Sequence, residues 1–265
     1  MTPIRVVVHG AAGRMGREVL NALCCDPELE AVGAVDLKAE RDHLSLPDGS
    51  GEIPFATELG AILSRSRPDV MVDFTVAEAT MPAAQLAIKE GVNLVIGTTG
   101  LSPSDVDEID RLCREGDVGA VVAPNFSLGA VLMIHLAKLA ARYFDYAEVI
   151  EMHHEGKLDA PSGTALATAR AMAEARGKPF HCPEPEKESL SGTRGGQIEG
   201  ISVHSVRLPG LLAHQEVILG ATGQTLTIRH DSISRESFMP GVIMAIKRVV
   251  NIKGLVYGLE SLLGL

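Results

Sequence analysis

The stretch IRVVVHGAAGRMG at residues 4–16 decides the fold of this chain. Its first five residues are mostly β-branched and predict a strand, and glycines follow soon after it. Residues 13–24 are compatible with a helix, and a second apolar run at residues 31–35 predicts another strand. Because parallel strands need a crossover connection, this strand–helix–strand unit predicts a parallel sheet covered by helices.

The same alternation of strands and helices continues to residue 122. The predicted strands lie at residues 70–74, 92–96 and 118–122. The predicted helices lie at residues 58–64, 77–90 and 102–115. This pattern predicts an α/β fold with a Rossmann-like doubly wound parallel sheet, in which ligands bind at the carboxyl ends of the strands. We assign residues 1–126 to a dinucleotide-binding domain.

The pattern changes after Asn125. The next predicted elements are a helix at 128–144, a strand at 147–152, a helix beginning near Pro161 and, beyond a polar stretch at 178–200, β-like runs at 201–206, 216–219 and 225–229. Little helix separates these runs, so they predict a second α+β domain with a mixed sheet at residues 127–234. Residues 234–250 predict a closing helix, and we expect residues 235–265 to return to the first domain.

The composition limits the classes of function. The chain has 265 residues, 24 basic and 34 acidic side chains and a formal net charge of −10, which disfavours binding to nucleic acid or to an anionic membrane. Its apolar runs are far shorter than the ~20 residues that cross a bilayer, and its amino terminus has no signal-peptide pattern. We therefore expect a cytoplasmic protein. Its four cysteines lack the spacing of a zinc site and are expected to be reduced thiols.

Gly10, Gly13 and Gly16 have GxxGxxG spacing between the first predicted strand and the first predicted helix. In this context glycines let the backbone approach a pyrophosphate, whose charge is held by amides at the helix amino terminus. Asp36 ends the second predicted strand, where a carboxylate can accept hydrogen bonds from an adenosine ribose. The glycines and the acid together predict a nicotinamide dinucleotide site, and a tight turn without a ligand is the alternative.

Three charged residues bear on the choice between NADH and NADPH. Asp36 disfavours the 2′-phosphate of NADPH by charge repulsion, whereas Arg14 and Lys38 offset it. We expect NADH to be at least as good as NADPH. The loop GTTG at residues 97–100 follows another predicted strand and offers small residues and backbone groups to a nicotinamide ring.

The segment EMHHEGKLDAPSGTA at residues 151–165 contains two histidines, a lysine and a Ser-Gly-Thr turn. Pro161 suits the first turn of a helix, so the Ser-Gly-Thr residues after it are expected to expose backbone amides and two hydroxyls to a substrate carboxylate. His153 or His154 could supply a proton near neutral pH, and Lys157 could pair with a second carboxylate or donate a proton itself. These groups suit hydride addition to a conjugated imine, in which one carbon accepts hydride and its neighbour a proton.

Each of these groups also has an ordinary structural explanation. Either histidine is compatible with a hydrogen-bonded loop side chain, Lys157 with a surface charge and the Ser-Gly-Thr turn with a simple helix cap. A zinc site is disfavoured, because His153 and His154 are adjacent and no third ligand stands at a recognised spacing. We therefore predict no metal ion.

Several motifs together resemble the 4-hydroxy-tetrahydrodipicolinate reductase family, also called dihydrodipicolinate reductases. The motifs are GAAGRMG at 10–16, VDFT at 72–75, GTTG at 97–100, PNFS at 124–127, EMHHEGKLDAPSGTA at 151–165, HSVR at 204–207 and SRESF at 234–238. The HHxxKxDxPSGTA pattern is highly specific to this family, and the resemblance covers nearly the whole chain.

The resemblance implies a two-domain oxidoreductase, a homotetramer assembled through the sheet of the second domain. It implies the reduction of 4-hydroxy-tetrahydrodipicolinate, via dihydrodipicolinate, to tetrahydrodipicolinate with NADH or NADPH in lysine and diaminopimelate biosynthesis. It also implies that His153 donates the proton and that Lys157 assists. The substrate-binding residues would be His154, Ser162, Gly163 and Thr164. The residues that we assign to cofactor binding are Gly10, Ala11, Ala12, Gly13, Arg14, Met15, Gly16, Asp36, Lys38, Gly97, Thr98, Thr99, Ala123, Pro124, Asn125, Phe126 and Arg235.

Two positions depart from the family pattern. Leu37 stands directly after Asp36, where many relatives have arginine, which weakens the expectation of an NADPH preference. Residues 207–214 contain proline and leucines in place of a more glycine-rich turn, a difference that we expect to affect a loop and not the chemistry.

Two other functions are compatible with the sequence. The first is another oxidoreductase of the same architecture, such as an amino-acid or aldehyde dehydrogenase, because the fold alone permits it. The second is a catalytically silent sensor that binds the nucleotide and signals by domain closure. A sensor would not need the histidines, the lysine and the Ser-Gly-Thr turn.

Overall fold

The computed structural model describes residues 2–265, which form two compact units. Gly129–Ser237 form the second unit. The residues before Gly129, together with Phe238–Leu265, form the first unit.

The first unit begins with alternating strands and helices. Its strands are β1 (Ile4–His9), β2 (Leu29–Val35), β3 (His43–Ser45), β4 (Glu52–Ala56), β5 (Val70–Asp73), β6 (Asn93–Ile96) and β7 (Gly119–Val122). Its helices are α1 (Arg14–Cys24), α2 (Leu59–Ser66), α3 (Ala77–Lys89) and α4 (Pro103–Glu115). Strands β5 and β7 are buried along their whole length, which is the pattern of parallel strands covered on both faces.

The second unit contains two helices and a five-stranded sheet. Its elements are α5 (Leu128–Ala140, of which Leu128 belongs to the first unit), β8 (Tyr146–His153), α6 (Gly163–Arg176), β9 (Gly196–Ile198), β10 (Ile201–Arg207), β11 (Ala213–Ala221) and β12 (Gln224–Ser232). The strand order is β12-β11-β8-β10-β9, and β8 and β10 are parallel while the other neighbours are antiparallel. One face of β8 packs Ala147 and Val149 against a core that includes Ala165 and Met172 of α6.

The closing segment completes the first sheet. A short 3-10 helix, Arg235–Phe238, precedes α7 (Met239–Val249), β13 (Gly254–Tyr257) and α8 (Leu259–Leu263). Strand β13 pairs in parallel with β7, which gives the strand order β13-β7-β6-β5-β1-β2-β4-β3. Only β3 runs antiparallel to its neighbour. The prediction of a doubly wound parallel sheet plus an α+β unit with a mixed sheet is confirmed.

Several element boundaries differ from the prediction. The short strands β3, β4, β9 and β13 lie in stretches for which the sequence pattern predicts no element. Helix α5 ends at Ala140 and not at residue 144, and the closing α-helix begins at Met239 and not at residue 234. Strands of three to five residues give too little periodicity to be separated from loops by pattern alone.

Candidate active site

The glycine loop after β1 is too tightly packed for larger residues. Gly10 has a φ of +85°, and a Cβ atom on it would lie 2.6 Å from the carbonyl oxygen of Phe74. A Cβ atom on Gly16 would lie 2.2 Å from the carbonyl oxygen of Gly10. Both contacts are with backbone, which cannot rotate away as a side chain can, so both positions require glycine. The loop therefore presents backbone at the carboxyl end of β1.

The amino terminus of α1 is open to an anion. Its N-cap residue, Gly13, supplies no side chain to the first amides of the helix, which form the positive end of the helix dipole. Asp36, directly after β2, accepts hydrogen bonds from the amides of Ala12 and Lys38, both at 2.9 Å. Asp36 thus fixes the glycine loop and retains lone pairs for a ribose hydroxyl.

The ends of β5 and β6 are joined by a buried carboxylate. Asp73 is completely buried, and its Oδ1 accepts hydrogen bonds from the hydroxyls of Thr75 (2.6 Å) and Thr98 (3.2 Å). The Thr98 side chain therefore holds the GTTG loop in place. The exposed Thr99 and the backbone of the loop are the groups available to a ligand.

The loop after β7 packs beside the GTTG loop through aromatic rings. A Cβ atom on Gly97 would lie 2.0 Å from the Phe74 ring, and Phe74 meets Phe126 edge to face at a centroid distance of 5.8 Å. Ala123 and Phe126 are buried, whereas Pro124 is exposed. Phe126 thus serves as packing for this edge of the sheet.

The predicted cofactor residues of the first unit lie at one edge of the sheet. They follow β1, β2, β6 and β7, and the order of the strands is β7-β6-β5-β1-β2. The carboxyl ends of parallel strands share an edge, where doubly wound folds bind nucleotides. The tight glycines, the uncapped helix and the acid after β2 fit a nicotinamide dinucleotide.

In the second unit, a buried glutamate holds His153. Glu151 and His153 are two residues apart on β8, so their side chains lie on the same face of the sheet. His153 Nδ1 lies 2.5 Å from Glu151 Oε2, with the glutamate side chain fully buried and the histidine side chain 14% exposed. Among residues 2–265, Nε2 of His153 has no hydrogen-bond partner. The ring is therefore oriented through Nδ1.

Arg207 neutralises the buried glutamate. Its two terminal nitrogens lie 2.8 Å from Glu151 Oε1 and 2.9 Å from Oε2, and the parallel register of β8 and β10 pairs Arg207 with His153. Burial raises the pKa of Glu151, but the hydrogen bonds from His153, Arg207 and Ser205 lower it by more, to about 2. Glu151 is therefore an anion throughout the neutral pH range.

Lys157 lies on the loop after β8. Its Nζ is 2.7 Å from Asp159 Oδ1, and this hydrogen bond lowers the pKa of Asp159. Arg207 donates to the carbonyl oxygen of Asp159 at 2.6 Å, so the arginine that binds Glu151 also holds this loop. A surface ion pair such as that of Lys157 contributes only about 0–1 kcal/mol, so a ligand carboxylate can take the place of Asp159.

The start of α6 corrects one prediction. Pro161 lies before the helix, and Ser162 is the N-cap residue, whose hydroxyl oxygen accepts a hydrogen bond from the amide of Ala165 (3.2 Å). The buried amide of Ser162 donates to Glu151 Oε1 at 3.2 Å and so is not exposed as predicted, because the glutamate uses it. Gly163 is exposed and Thr164 half-buried, and their amides form the open end of the helix.

Two predicted residues have fewer defined contacts. The carbonyl oxygen of His154 accepts a hydrogen bond from the amide of Lys157 at 3.1 Å, and the His154 side chain is half-buried. Arg235 is half-buried in the 3-10 helix and belongs to the second unit. Their binding roles stay predictions.

Two family profiles match the chain. The profile described as "Dihydrodipicolinate reductase, N-terminus" matches residues 4–126, and "Dihydrodipicolinate reductase, C-terminus" matches residues 129–263. The chain belongs to the dihydrodipicolinate reductase family. The family resemblance predicted from the motifs is thereby confirmed over almost the full length.

Individual members of the family are similar to this chain over nearly its full length. The 4-hydroxy-tetrahydrodipicolinate reductase of Dehalococcoides mccartyi is 60% identical over 265 residues, which cover 100% of both chains. That of Moorella thermoacetica is 53% identical over 262 residues, 98% of both chains. A solved structure described as dipicolinate-bound dihydrodipicolinate reductase from Paenisporosarcina sp. TG-14 has a TM-score of 0.87 at 44% identity and covers 98% of this chain and 99% of that chain.

Within residues 2–265, no group of three or more His, Cys, Asp or Glu side chains could hold a metal ion. No helix in the same range is long and apolar enough to span a membrane. All four cysteines are free.

Glu151, Arg207 and Asp73 belong to the site but carry no role that their sequence positions predict. Glu151 and Arg207 are 56 residues apart, and only the pairing of β8 with β10 brings them together. One sequence signal marks Glu151: it continues the buried positions Ala147 and Val149 of β8, where an apolar residue is expected. A charge at such a position requires partners, which is a reason to search for them.

Proposed function

We propose that this chain reduces dihydrodipicolinate, formed from 4-hydroxy-tetrahydrodipicolinate, to tetrahydrodipicolinate with NADH or NADPH, in lysine and diaminopimelate biosynthesis. Family membership across both units supports the reaction. The assignment of roles rests on one observation: the buried Glu151 orients the His153 ring. The same segment of the chain also contains Lys157 and the open amino terminus of α6.

The second unit supplies the groups for the substrate. The free amides of Gly163 and Thr164 at the start of a 14-residue helix suit one carboxylate of a dicarboxylate. Lys157 suits the second carboxylate of the substrate, which would replace Asp159 as the partner of the lysine amine. These positive groups are needed because the chain has a formal net charge of −10, which repels a dianion at long range.

His153 is proposed to donate the proton. Its Nδ1 is committed to Glu151, so Nε2 is the nitrogen from which a proton can be given. One carbon of the substrate accepts hydride, and its neighbour accepts this proton, which balances the reduction of one double bond. Because the fixed ring needs no reorientation during transfer, it suits general acid catalysis.

The first unit supplies the nucleotide site. The nucleotide, when bound, supplies the hydride. The amides at the start of α1 are proposed to hold its pyrophosphate, and Asp36 its adenosine ribose. The exposed Thr99 and the backbone of the GTTG loop are proposed to contact the nicotinamide end.

A coupled spectrophotometric assay tests the reaction. The unstable substrate is generated in place by the synthase that makes it, and the loss of NADH or NADPH absorbance is followed separately. We expect oxidation that depends on the synthase. No oxidation with either nucleotide, despite measurable nucleotide binding, would favour a sensor or a dehydrogenase with another substrate.

Replacing Lys157 with alanine is expected to lower kcat/KM by about 30-fold, since a hydrogen bond to a charged group contributes about 2 kcal/mol. Most of this loss should be in KM, because the amine binds a carboxylate that is present before and after hydride transfer. Lys253→Ala is the matched control, since Lys253 forms a similar pair with Asp117 at 2.8 Å in the first unit. Equal steady-state constants for Lys157→Ala and the wild type would contradict the proposed role.

Replacing Asp36 with asparagine is expected to shift the ratio of kcat/KM values about tenfold toward NADPH, since one charge repulsion near a 2′-phosphate is worth about 1.4 kcal/mol. Asparagine retains one oxygen to accept the Ala12 amide, so the loop should persist. Lys38→Ala provides the opposite test and should impair NADPH more than NADH. An unchanged ratio in both variants would place the adenosine ribose elsewhere.

We further propose a cytoplasmic homotetramer that binds a small dicarboxylate, and neither nucleic acid nor a membrane surface. The outer face of the second sheet carries half-buried Ile150, Met152 and Ile218 beside the ion pair of Glu216 with Arg229. A second copy of the same sheet is the expected occupant of this mixed apolar and charged face, because symmetric assemblies bury the same surface of each copy. Sedimentation of the wild type and of an Ile218→Lys variant tests it, and a monomeric wild type would contradict the proposal.

A further inference from the structure

Glu151 has an environment that folding alone does not require. A fully buried carboxylate loses its hydration at a cost of several kcal/mol, and an apolar residue at this position of β8 would continue the core face formed by Ala147 and Val149. The structure instead surrounds Glu151 with donors from three elements. These are His153 on β8 itself, Arg207 on β10 and the amide of Ser162 at the start of α6.

The donors leave Glu151 no lone pair with which to bind a substrate. Oε1 accepts from Arg207 (2.8 Å) and from the Ser162 amide (3.2 Å), while Oε2 accepts from His153 (2.5 Å) and from Arg207 (2.9 Å). Two carboxylate oxygens offer about four lone-pair positions, and at least four donors occupy them. Any influence of Glu151 on a reaction therefore passes through one of these neighbours.

Among these neighbours, His153 is the one that can transfer a proton near neutral pH. A histidine has two ring nitrogens, and a carboxylate on one of them decides which nitrogen carries the proton in the neutral ring. With Nδ1–H directed at Glu151, the neutral ring has its lone pair on Nε2, and the protonated ring carries its transferable proton there. The same carboxylate provides the counter-charge for the protonated ring.

We infer that Glu151 is the positioning residue of the proton donor: its carboxylate fixes the tautomer and orientation of His153 and stabilises the protonated ring that gives up a proton from Nε2. This inference rests on the proposed function of His153. Arg207 has a supporting part, because it neutralises Glu151 and, through the carbonyl oxygen of Asp159, holds the loop that bears Lys157.

The charged groups around Glu151 determine how its replacement alters the electrostatic environment of His153. Besides His153 and Arg207, the neighbouring ionisable pair is Lys157 with Asp159, and the residues opposite Glu151 in the adjacent strands are the neutral Ser205 and Gln215. Replacing Glu151 with glutamine removes the only carboxylate that contacts His153 among the described residues. Arg207 then keeps its charge but loses the carboxylate that neutralises it, which further disfavours a protonated ring.

The kinetic test is Glu151→Gln in the coupled assay. We expect kcat to fall about 50-fold with KM within about threefold, because the loss lies in proton transfer and not in binding. The alkaline limb of the kcat profile should move to lower pH, since the protonated ring has lost its counter-charge. Glu151→Asp, which keeps a carboxylate, should recover at least part of the rate. A loss confined to KM, with an unshifted pH profile, would overturn the inference.

The matched control is Asp231→Asn. Asp231 also joins a histidine and an arginine, with His214 Nδ1 at 2.6 Å and Arg229 Nε at 3.0 Å, but it contacts neither His153 nor Lys157. The same carboxyl-to-amide change there should leave kcat within about twofold, as is usual for a partly exposed ion pair. Equal losses in both variants would mean that Glu151 acts only as one structural ion pair among others.

A double-mutant cycle separates positioning from general stability. If Glu151 acts through His153, then Glu151→Gln should lower kcat by no more than about twofold in a His153→Ala background, because the path through which it acts is absent. Losses that multiply would overturn the inference.

A spectroscopic measurement decides the inference without any activity. Nitrogen-15 NMR of histidine-labelled protein distinguishes the Nδ1–H from the Nε2–H tautomer, and the signal absent in His153→Ala identifies His153. We expect Nδ1–H in the wild type and a mixture in Glu151→Gln. Nε2–H in the wild type would overturn the inference even if Glu151→Gln failed to fold. An Nδ1–H wild type that is inactive in the coupled assay would instead reject the proposed reaction and leave the positioning of His153 intact.

Discussion

Replacing His153 with glutamine is expected to lower kcat by about 1,000-fold, within the range found when a general acid is removed. Glutamine approximates the reach of the imidazole and can still bond to Glu151, but it cannot release a proton near neutral pH. KM for the substrate and the dissociation constant for NADH should change little, because the ring contributes mainly in the transition state. Steady-state kinetics in the coupled assay and fluorescence titration with NADH measure these quantities.

Two further histidine variants make this result specific. His154→Gln should raise KM more than it lowers kcat, because the predicted role of His154 is to hold the substrate. His204→Gln is the matched control, since His204 also contacts a glutamate, Glu148, at 2.9 Å on the same pair of strands. A large loss of kcat in His154→Gln with little loss in His153→Gln would assign the proton to the other histidine and contradict the geometry at Glu151.

The parts of the site that follow a single strand could be predicted from the sequence. The glycines after β1, Asp36 after β2 and the loop after β6 each stand directly after an apolar run, and parallel strands bring such positions to one edge. The same reasoning locates the start of α6 to within two residues of Pro161. The local sequence pattern predicts the positions of these groups because each one is fixed by the turn in which it lies.

The groups that depend on pairing between distant segments could not be predicted in this way. Arg207 meets Glu151 because β8 and β10 are parallel neighbours in one register, and a shift of one residue would turn Arg207 to the opposite face. Likewise, Ser162 was predicted to offer its amide to a ligand, and the structure gives that amide to Glu151. A sequence pattern does not specify which residues pair when two strands lie about 50 residues apart in the chain.

Replacing Gly16 with alanine is expected to raise the dissociation constant for NADH by at least about 100-fold. It is also expected to lower the free energy of unfolding by about 3 kcal/mol, the upper part of the usual range for overpacking. The new Cβ atom would lie 2.2 Å from the carbonyl oxygen of Gly10 and 2.7 Å from Cα of Ala11. Since both atoms belong to the backbone, relief requires the glycine loop to move away from α1. That movement displaces the amides that are proposed to hold the pyrophosphate. Urea unfolding and fluorescence titration with NADH measure the two effects.

Gly60 provides the matched control for this substitution. It also lies near the start of a helix, α2, but the nearest atom to a Cβ there is Cδ2 of Leu86 at 3.6 Å, an ordinary contact. Gly60→Ala should therefore leave NADH binding unchanged and stabilise the protein by up to about 1 kcal/mol, because alanine favours a helix over glycine. If Gly16→Ala bound NADH as well as Gly60→Ala does, the pyrophosphate would not depend on the close approach of Gly10 to Gly16. The nucleotide would then have to be held by other groups at the carboxyl edge of the sheet.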